Sequence, residues 1–488
     1  MILLPHYKNK TVGVFGLGKS GLSTVEALAR SGAAVCAWDD NAKGREELEA
    51  RLSHMATLIP IERWQWKELD ALILAPGVPL THPAPHAVVQ QALANGVPVK
   101  GDIELLNEGC PDAVKIGITG TNGKSTTTAL TGHLLQVAGQ RCEVGGNLGT
   151  PVLTLEPFVA GQGAYVLELS SYQLDLLIHT TLQVAVLLNI TPDHLDRHGG
   201  MEGYIAAKQK IFAGQAGSDV AIIGVDDAPS KAIYQALKNR KLPKGIAPEG
   251  SQVGKNRVIP ISVQGEVKGG VYVAEGVIYD TIDEHAPAQL DISDVETLRG
   301  RHNWQNAAAA YAVARVMGIA PREIASGMRS FPGLQHRMES VATVDNVRFV
   351  NDSKATNPEA AAQALASYRP IYWIAGGKPK GPSLSVVEPF YDRVQRVYLV
   401  GAAEELFAGE LEGKLDYVRC GDLSVAFHAA ATDALRDGLK DAVVLLSPAC
   451  ASFDQWASFE ARGDAFRLLA QEFATNQLAK RTAASGAG

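Results

Sequence analysis

Residues 115–128 read Lys-Ile-Gly-Ile-Thr-Gly-Thr-Asn-Gly-Lys-Ser-Thr-Thr-Thr, and the rest of the chain has to be read around them. The apolar run 113–118 predicts a short buried strand, a glycine-rich turn follows, and Lys124-Ser125 opens a helix running toward Leu135. This strand–loop–helix layout cradles a nucleotide triphosphate, because N–H groups of the loop and the helix N-terminus point at phosphate oxygens. Lys124 is expected to reach the β/γ-phosphates and the Ser125 hydroxyl to sit on Mg²⁺. The general pattern places a first glycine at position 118, which is Ile; the glycines here are Gly117, Gly120 and Gly123. An ordinary strand-to-helix turn accounts for those glycines but not for Lys-Ser at the helix start.

The 488 residues are too many for a single core, and length alone suggests roughly three domains. A net charge of −7 implies no broad basic face, which argues against nucleic acid or an anionic membrane as main partner. Small anions remain open, since local loops bind them. The five cysteines (Cys36, Cys110, Cys142, Cys420 and Cys450) are scattered and form no Cys-x-x-Cys pair. A disulfide framework or zinc site is therefore not expected, and a reducing cytoplasm fits. Met1-Ile-Leu-Leu-Pro5 is too short for a signal peptide, and no apolar run is long enough to span a bilayer.

Upstream, a predicted strand at 11–15 leads into Gly16-Leu17-Gly18-Lys19-Ser20-Gly21 and a helix to Arg30. A second strand, 33–38, ends in Asp39, where an acidic residue would meet a ribose. Alone, this supports a dinucleotide-dependent oxidoreductase; such a turn binds any nucleotide diphosphate. A strand at 69–74 closes in Ala75-Pro76-Gly77-Val78-Pro79, and a small α/β domain ends near Gly101-Asp102.

Downstream, Asn147 lies in a turn with its amide free for a ligand, and Glu168 ends a strand at 164–169. A Mg²⁺ role and a solvated Glu168 are both open on these residues alone. The strand at 183–190 ends in Asn189-Ile-Thr-Pro-Asp-His-Leu-Asp-Arg-His198, an Asp/His cluster at the edge where open α/β sheets bind ligands. A helix at 201–212 carries Lys208 and Lys210, which a helix normally leaves solvated. Residues 238–294 read as added antiparallel structure without chemistry, with strands at 258–263 and 270–279. Arg301-His302-Asn303-Trp304-Gln305-Asn306 opens an alanine-rich helix in which Asn303 and Asn306 share one face. After a hinge at 331–337, strands at 347–351, 371–375, 396–400 and 442–446 alternate with helices as a second doubly wound sheet. The tail from Lys480 is expected to be disordered.

Several stretches together resemble the Mur ligases, ATP-dependent amide-bond ligases that build the peptidoglycan stem peptide. Gly120-Thr-Asn-Gly-Lys-Ser-Thr126 is similar to their ATP loop, Ile118 included. Glu168-Leu-Ser-Ser-Tyr-Gln-Leu174, Thr191–Asp196, His302-Asn303 with Asn306, and His336-Arg337 are similar to further motifs of the family. Asn351-Asp-Ser-Lys-Ala-Thr-Asn357 and Ser447–Gln455 are most similar to the branch that takes glutamate. The resemblance runs from Gly16 to about Arg467 and leaves 238–294 unmatched. It implies an α/β protein of three domains: a Rossmann-like UDP-sugar domain at 1–102, a phosphate-loop ATP domain at 103–333, and a Rossmann-like amino-acid domain at 334–488.

The resemblance also implies roles. Gly120, Thr121, Asn122, Gly123, Lys124, Ser125 and Thr126 hold ATP, with Asn303, Asn306, Arg337, Asp352 and Lys354 on the ATP side. Ser125 and Glu168 attend one Mg²⁺; His194 attends a second with Lys208, carbamylated by CO₂ into an oxygen ligand. Gly18, Lys19, Ser20, Asp39 and Gly77 hold the uracil nucleotide, and Asn147 the sugar–peptide part. Thr356, Lys380, Ser452, Phe453 and Phe459 hold the incoming glutamate. The implied reaction adds D-glutamate to UDP-N-acetylmuramoyl-L-alanine through an acyl phosphate, by a cytoplasmic monomer with no nucleic-acid or membrane partner. An oxidoreductase accounts for residues only to about Gly101 and leaves the Lys124 loop idle. A folylpolyglutamate-synthetase-like ligase shares the ATP loop but needs no UDP site; sibling ligases match the third domain less well.

Overall fold

The computed structural model describes residues 1–147, 149–239, 256–283, 287–379 and 383–485. Its backbone divides into two compact units, one of residues 1–295 with 303–331 and one of 296–302 with 332–488.

The first unit holds two sheets. One has the strand order Thr57–Leu58, Ala34–Trp38, Thr11–Phe15, Ala71–Leu74, Val99–Lys100, all parallel. Its strands read as near-continuous apolar runs because helices cover both faces. Residues 16–18 form the crossover turn into the helix Lys19–Arg30. At Gly21 a Cβ would lie 1.8 Å from the Gly16 carbonyl oxygen, whereas Gly18, the N-cap, has open space around it. The last glycine of the pattern thus serves packing, and the middle one leaves room for a ligand.

The other sheet has nine strands, in which Val114–Thr119 lies between Val184–Leu187 and Ala164–Glu168. Parallel pairing continues outward through Val220–Gly224, Arg257–Ser262 and Val271–Ala274. Among the described residues the outer region is thus only partly the expected antiparallel addition: Arg257–Ser262 pairs parallel on both sides, while Val277–Asp280 pairs antiparallel with Val271–Ala274 and with Ala288–Asp291. The single strand expected at 270–279 is a hairpin, broken at Glu275-Gly276, where both residues take positive φ. A run of alternating apolar residues conceals a turn unless the glycine is given weight. The hairpin is tied inward by buried Asp280, which accepts from Tyr311 Oη at 3.1 Å and Arg315 Nε at 2.8 Å.

The second unit carries a six-stranded sheet ordered Glu339–Val344, Val347–Asn351, Ala442–Leu446, Ile371–Gly376, Val394–Val400, Tyr417–Gly421. Only its first pair is antiparallel. The closing helix runs Phe459–Ser485, so residues 480–485, expected to be disordered, are helical. Alanine and long unbranched side chains favour that state, and one glycine-free run continues it. Residues 486–488 lie outside the described residues.

Candidate functional site

In the first unit the phosphate loop leaves the carboxyl end of the strand Val114–Thr119. Gly123 is the N-cap of the helix Lys124–Val137, with φ of +85° and no side-chain cap, so the first N–H groups of that helix face the loop. Lys124 folds over the loop, its Nζ donating to Gly120 O at 2.9 Å and Thr121 O at 2.8 Å. Gly120 O accepts a second ammonium, Lys208 Nζ, at 2.8 Å. The Lys208 amine also lies 3.5 Å from Thr119 Oγ1 and 4.7 Å from the centre of the Tyr204 ring. Its residue is 1% exposed. Burial, with the nearby Lys124 charge, pulls the Lys208 pKa down to about 7. The expectation that helix lysines are solvated fails here because the helix Met201–Gln209 turns this one into the sheet's edge.

Glu168 ends the strand in register with Ile118 and is 2% exposed. Its Oε1 accepts from Asn147 Nδ2 at 2.7 Å, while Oε2 is buried without a hydrogen-bond partner. An orphaned buried carboxylate oxygen beside a phosphate loop suits a hard cation. Among the described residues no three His, Cys, Asp or Glu side chains converge on one point. A cation at Glu168 would therefore draw its other ligands from Ser125, phosphate oxygens and water. His194 is half-exposed at φ of +52°, with Nε2 3.5 Å from Asp193 Oδ2 and its ring 5.2 Å from that of Tyr172. Buried His198 fixes this corner: Nε2 meets Ser171 Oγ at 2.9 Å and Nδ1 meets Asp175 Oδ2 at 3.3 Å. Its ring stacks on Tyr172.

The same unit contains a side-chain relay that ties Thr121 and Asn122 of the loop to Asn189, Gln305, Asp226 and Tyr204, four residues without a role in the sequence reading. Asn189 accepts from Asn122 N at 2.9 Å and donates to Asn122 O and to Gln305 Oε1. Gln305 in turn donates to Asp226. Thr121 Oγ1 is held by Thr191 and Tyr204. These residues set the loop's shape. The available signal was position alone, since Asn189 closes a strand and Gln305 lies between two asparagines already suspected. Asn306 donates to Asn303 Oδ1 at 3.2 Å and accepts from Thr127 Oγ1 at 3.3 Å. Both asparagines thus belong with the loop helix.

At the nucleotide turn of the first sheet, Asp39 faces inward: Oδ2 accepts from Leu17 N at 2.5 Å and Oδ1 from Asn41 N at 2.8 Å. Ser20 Oγ donates to buried Asp102 Oδ2 at 2.6 Å. Lys19 is exposed at the helix start, and Gly77 has open space around it. The Ser20 hydroxyl proton is thereby committed to Asp102.

In the second unit Asp352 follows the strand Val347–Asn351, its Oδ2 accepting from Ser447 Oγ at 2.8 Å and Oδ1 from Met338 N at 3.2 Å. Burial raises its pKa to about 7. His302, also in this unit, is held down to about 4 by burial and by the Arg337 charge. Lys354 Nζ lies 5.7 Å from the centre of the Phe459 ring, and Thr356 N donates to Lys354 O. Ser452 is buried and Phe453 is 67% exposed beside it. Lys380 lies outside the described residues.

Three family profiles cover most of the chain: the MurD-like N-terminal domain of Mur ligases over residues 10–101, the Mur ligase middle domain over 118–314, and the Mur ligase glutamate ligase domain over 336–450. The chain is 49% identical over 473 residues to a UDP-N-acetylmuramoylalanine--D-glutamate ligase of Caulobacter sp. (strain K31), covering 96% of this chain and 97% of that one. It is 46% identical to the protein of the same name from Rhodospirillum rubrum, covering 99% and 98%. Among solved structures the fold is similar to the UDP-N-acetylmuramate-alanine ligase of Thermotoga maritima, with a TM-score of 0.55 at 15% identity over 95% of this chain and 99% of that one. A D-alanyl-D-alanyl-adding ligase of Acinetobacter baumannii gives 0.57 at 17% identity, over 94% and 93%. Phosphate loop, buried lysine and sheet architecture thus meet in one place with identity along almost the full length: the chain belongs to the Mur ligase family.

Proposed function

We propose that this chain is an ATP-dependent ligase that adds D-glutamate to UDP-N-acetylmuramoyl-L-alanine. The observation that carries the chemistry is the pair of ammonium groups, Lys124 and Lys208, on one loop carbonyl, in a unit whose neighbouring strand ends in a buried, half-satisfied carboxylate. Joining a carboxylate to an amine in water is uphill, so the carboxylate has to be activated. Transfer of the ATP γ-phosphoryl group to it gives an acyl phosphate, which the amine then displaces. All partners are anionic, so catalysis is largely positioning and charge neutralisation.

In this reading the loop 120–126 cradles the phosphates, Lys124 leaves its loop carbonyls for the transferring group, and Asn303, Asn306, Arg337, Asp352 and Lys354 serve the ATP side. Ser125 and Glu168 hold one Mg²⁺; His194 and Lys208 hold another. Magnesium bound there would neutralise charge developing on the phosphate oxygens. Lys208 would serve as a carbamate, and a buried amine pulled down to about 7 supports that, since only the neutral amine attacks CO₂. The amides after Gly18, with Lys19, Ser20, Asp39 and Gly77, take the UDP portion, and Asn147 the sugar–peptide. Thr356, Lys380, Ser452, Phe453 and Phe459 take the amino acid. The division at 1–102, 103–333 and 334–488, a cytoplasmic location and a monomeric state belong to the same reading. No helix among the described residues is long and apolar enough to cross a membrane. A dinucleotide oxidoreductase would leave Lys124, Glu168 and Lys208 without use.

The test is phosphate release with UDP-N-acetylmuramoyl-L-alanine and ATP, offering D-Glu, L-Glu, L-Ala and meso-diaminopimelate at equal concentration. D-Glu is expected to be strongly preferred: three attachment points on a chiral carbon leave one buried donor unpaired with the mirror image, a loss of about 1–3 kcal/mol. Preference for L-Glu or the diamino acid would defeat the assignment while leaving the ligase chemistry intact.

A further inference from the structure

Arg462 lies in the first turn of the helix Phe459–Ser485, a position where the helix dipole favours anions, not cations. It is 2% exposed, and among the described residues it has no carboxylate within ion-pair distance. Instead its fork is filled by neutral oxygens. Nε donates to Ser353 Oγ at 2.9 Å, and Nη2 to Ser353 O at 2.9 Å and Cys450 O at 3.1 Å. Nη1 donates to Ala451 O at 3.3 Å. Burial pulls this guanidinium down to about 10. An apolar side chain would fill the space without that penalty, so packing alone does not explain a cation here.

The backbone geometry does explain it. Across a planar trans peptide the carbonyl of one residue and the N–H of the next point in opposite directions. Carbonyls drawn onto Arg462 therefore turn the N–H groups of Lys354, Ala451 and Ser452 away from it; Arg462 shares Ala451 O with Lys378 N, which donates to it at 2.8 Å, and holds the Ser353 and Cys450 carbonyls from its Nη2. Two of these are engaged, Lys354 N with His336 O and Ala451 N with Lys378 O. The third, Ser452 N, has no acceptor among the described residues, although Ser452 is 1% exposed. Nor do the N–H groups of Phe453 and Asp454, where the chain turns so that Trp456 N reaches Ser452 O at 2.8 Å. Successive N–H groups around such a turn form a concavity for an anion.

We propose that Arg462 is a positioning residue for the amino-acid pocket: it locks the peptide planes after Ser353, Cys450 and Ala451 so that the Ser452–Asp454 amides face a carboxylate of the incoming glutamate. This rests on the glutamate reading above. The fork is what matters, because one planar group has to hold the 353 and 450–451 loops together, which an ammonium cannot do.

The test uses the full chain and two variants, R462K and S353A; the second removes the Nε acceptor together with the Ser353 Oγ donation to Phe459 O at 2.8 Å, so R462K, which leaves that bond in place, is the primary arm. Folding is checked by circular dichroism and thermal melting. R462K is expected to raise the KM for D-glutamate about tenfold, and S353A about threefold, as lost buried hydrogen bonds would. The KM for UDP-N-acetylmuramoyl-L-alanine should change by less than about twofold in both. An unchanged D-glutamate KM in folded R462K, or an equal rise for all substrates, overturns the inference; should R462K not fold, the same criteria applied to S353A decide. A wild-type chain that releases no phosphate with D-glutamate defeats the underlying reading as well, so the two failures are told apart.

Discussion

Lys208 and Lys124 converge on Gly120 O, and two like charges so close are tolerable only if one is discharged or a polyanion is present. A carbamate on Lys208 would relieve the repulsion and reverse its sign. Lys208→Ala is therefore expected to be nearly inactive, with activity partly restored by formate or acetate entering the vacated space. Binding of the UDP-sugar acceptor should be unaltered, which calorimetry would check. Wild-type activity in the variant would remove the metal-site role assigned to this lysine. At this scale the sequence was legible where a residue type is tied to a local pattern, as Lys124-Ser125 is to the loop. It was not legible where the role depends on which face of a helix turns inward. Lys208 and Lys210 are two positions apart, yet Lys208 is buried on Gly120 O while Lys210 pairs with Asp175 at the surface. Arg462 escaped for the same reason, although a cation in a helix's first turn was a signal that could have been read.

Most elements that alternate strand and helix lie within one or two residues of their expected bounds, as with Ala442–Leu446, because buried parallel strands are short continuous apolar runs; the strand expected at 183–190 stops at Leu187. The errors fall where the pattern is ambiguous: the hairpin at 271–280 was read as one strand, and the closing helix outlasts a composition taken for a tail. The junction of strand, loop and helix at Gly123 combines two demands. Its φ of +85° disfavours any side chain, and a Cβ would stand 2.1 Å from Asn306 Oδ1. Gly123→Ala thus meets left-handed strain of about 1–2 kcal/mol and also has to displace Asn306 from Thr127. The expected result is an ATP affinity weakened by about tenfold or more, with a small drop in melting temperature. Nucleotide binding measured by calorimetry checks it; unchanged affinity would mean that the loop is not held by the Asn306 contact.

On the scale of the whole molecule, pH reaches stability through two groups of the second unit, buried Asp352 and partly buried His302, whose effects oppose each other. His302 titrates near 4 in the folded chain against an ordinary 6.5, so the folded state resists its proton. Its contribution is fully present above 6.5 and is lost as pH falls through 4. Asp352 is displaced the other way, to about 7 from 3.8, so the folded state keeps a proton that the unfolded chain gives up. Its contribution is fully present below 3.8 and is lost as pH rises through 7. Between about pH 4.5 and 6 each group corresponds to one proton, and hence to a slope of about 1.4 kcal/mol per pH unit. The slopes have opposite signs and cancel. Arg337 acts on both, repelling the proton from His302 and partly offsetting the burial of Asp352. In His302→Asn the remaining Asp352 effect should make stability, relative to wild type, fall with rising pH across that window. In Asp352→Asn it should rise with pH at a similar slope. Amide exchange along the buried strand Ile371–Gly376 reports opening of this unit without relying on the other one. Parallel pH profiles for wild type and both variants would show that neither group changes its protonation on folding.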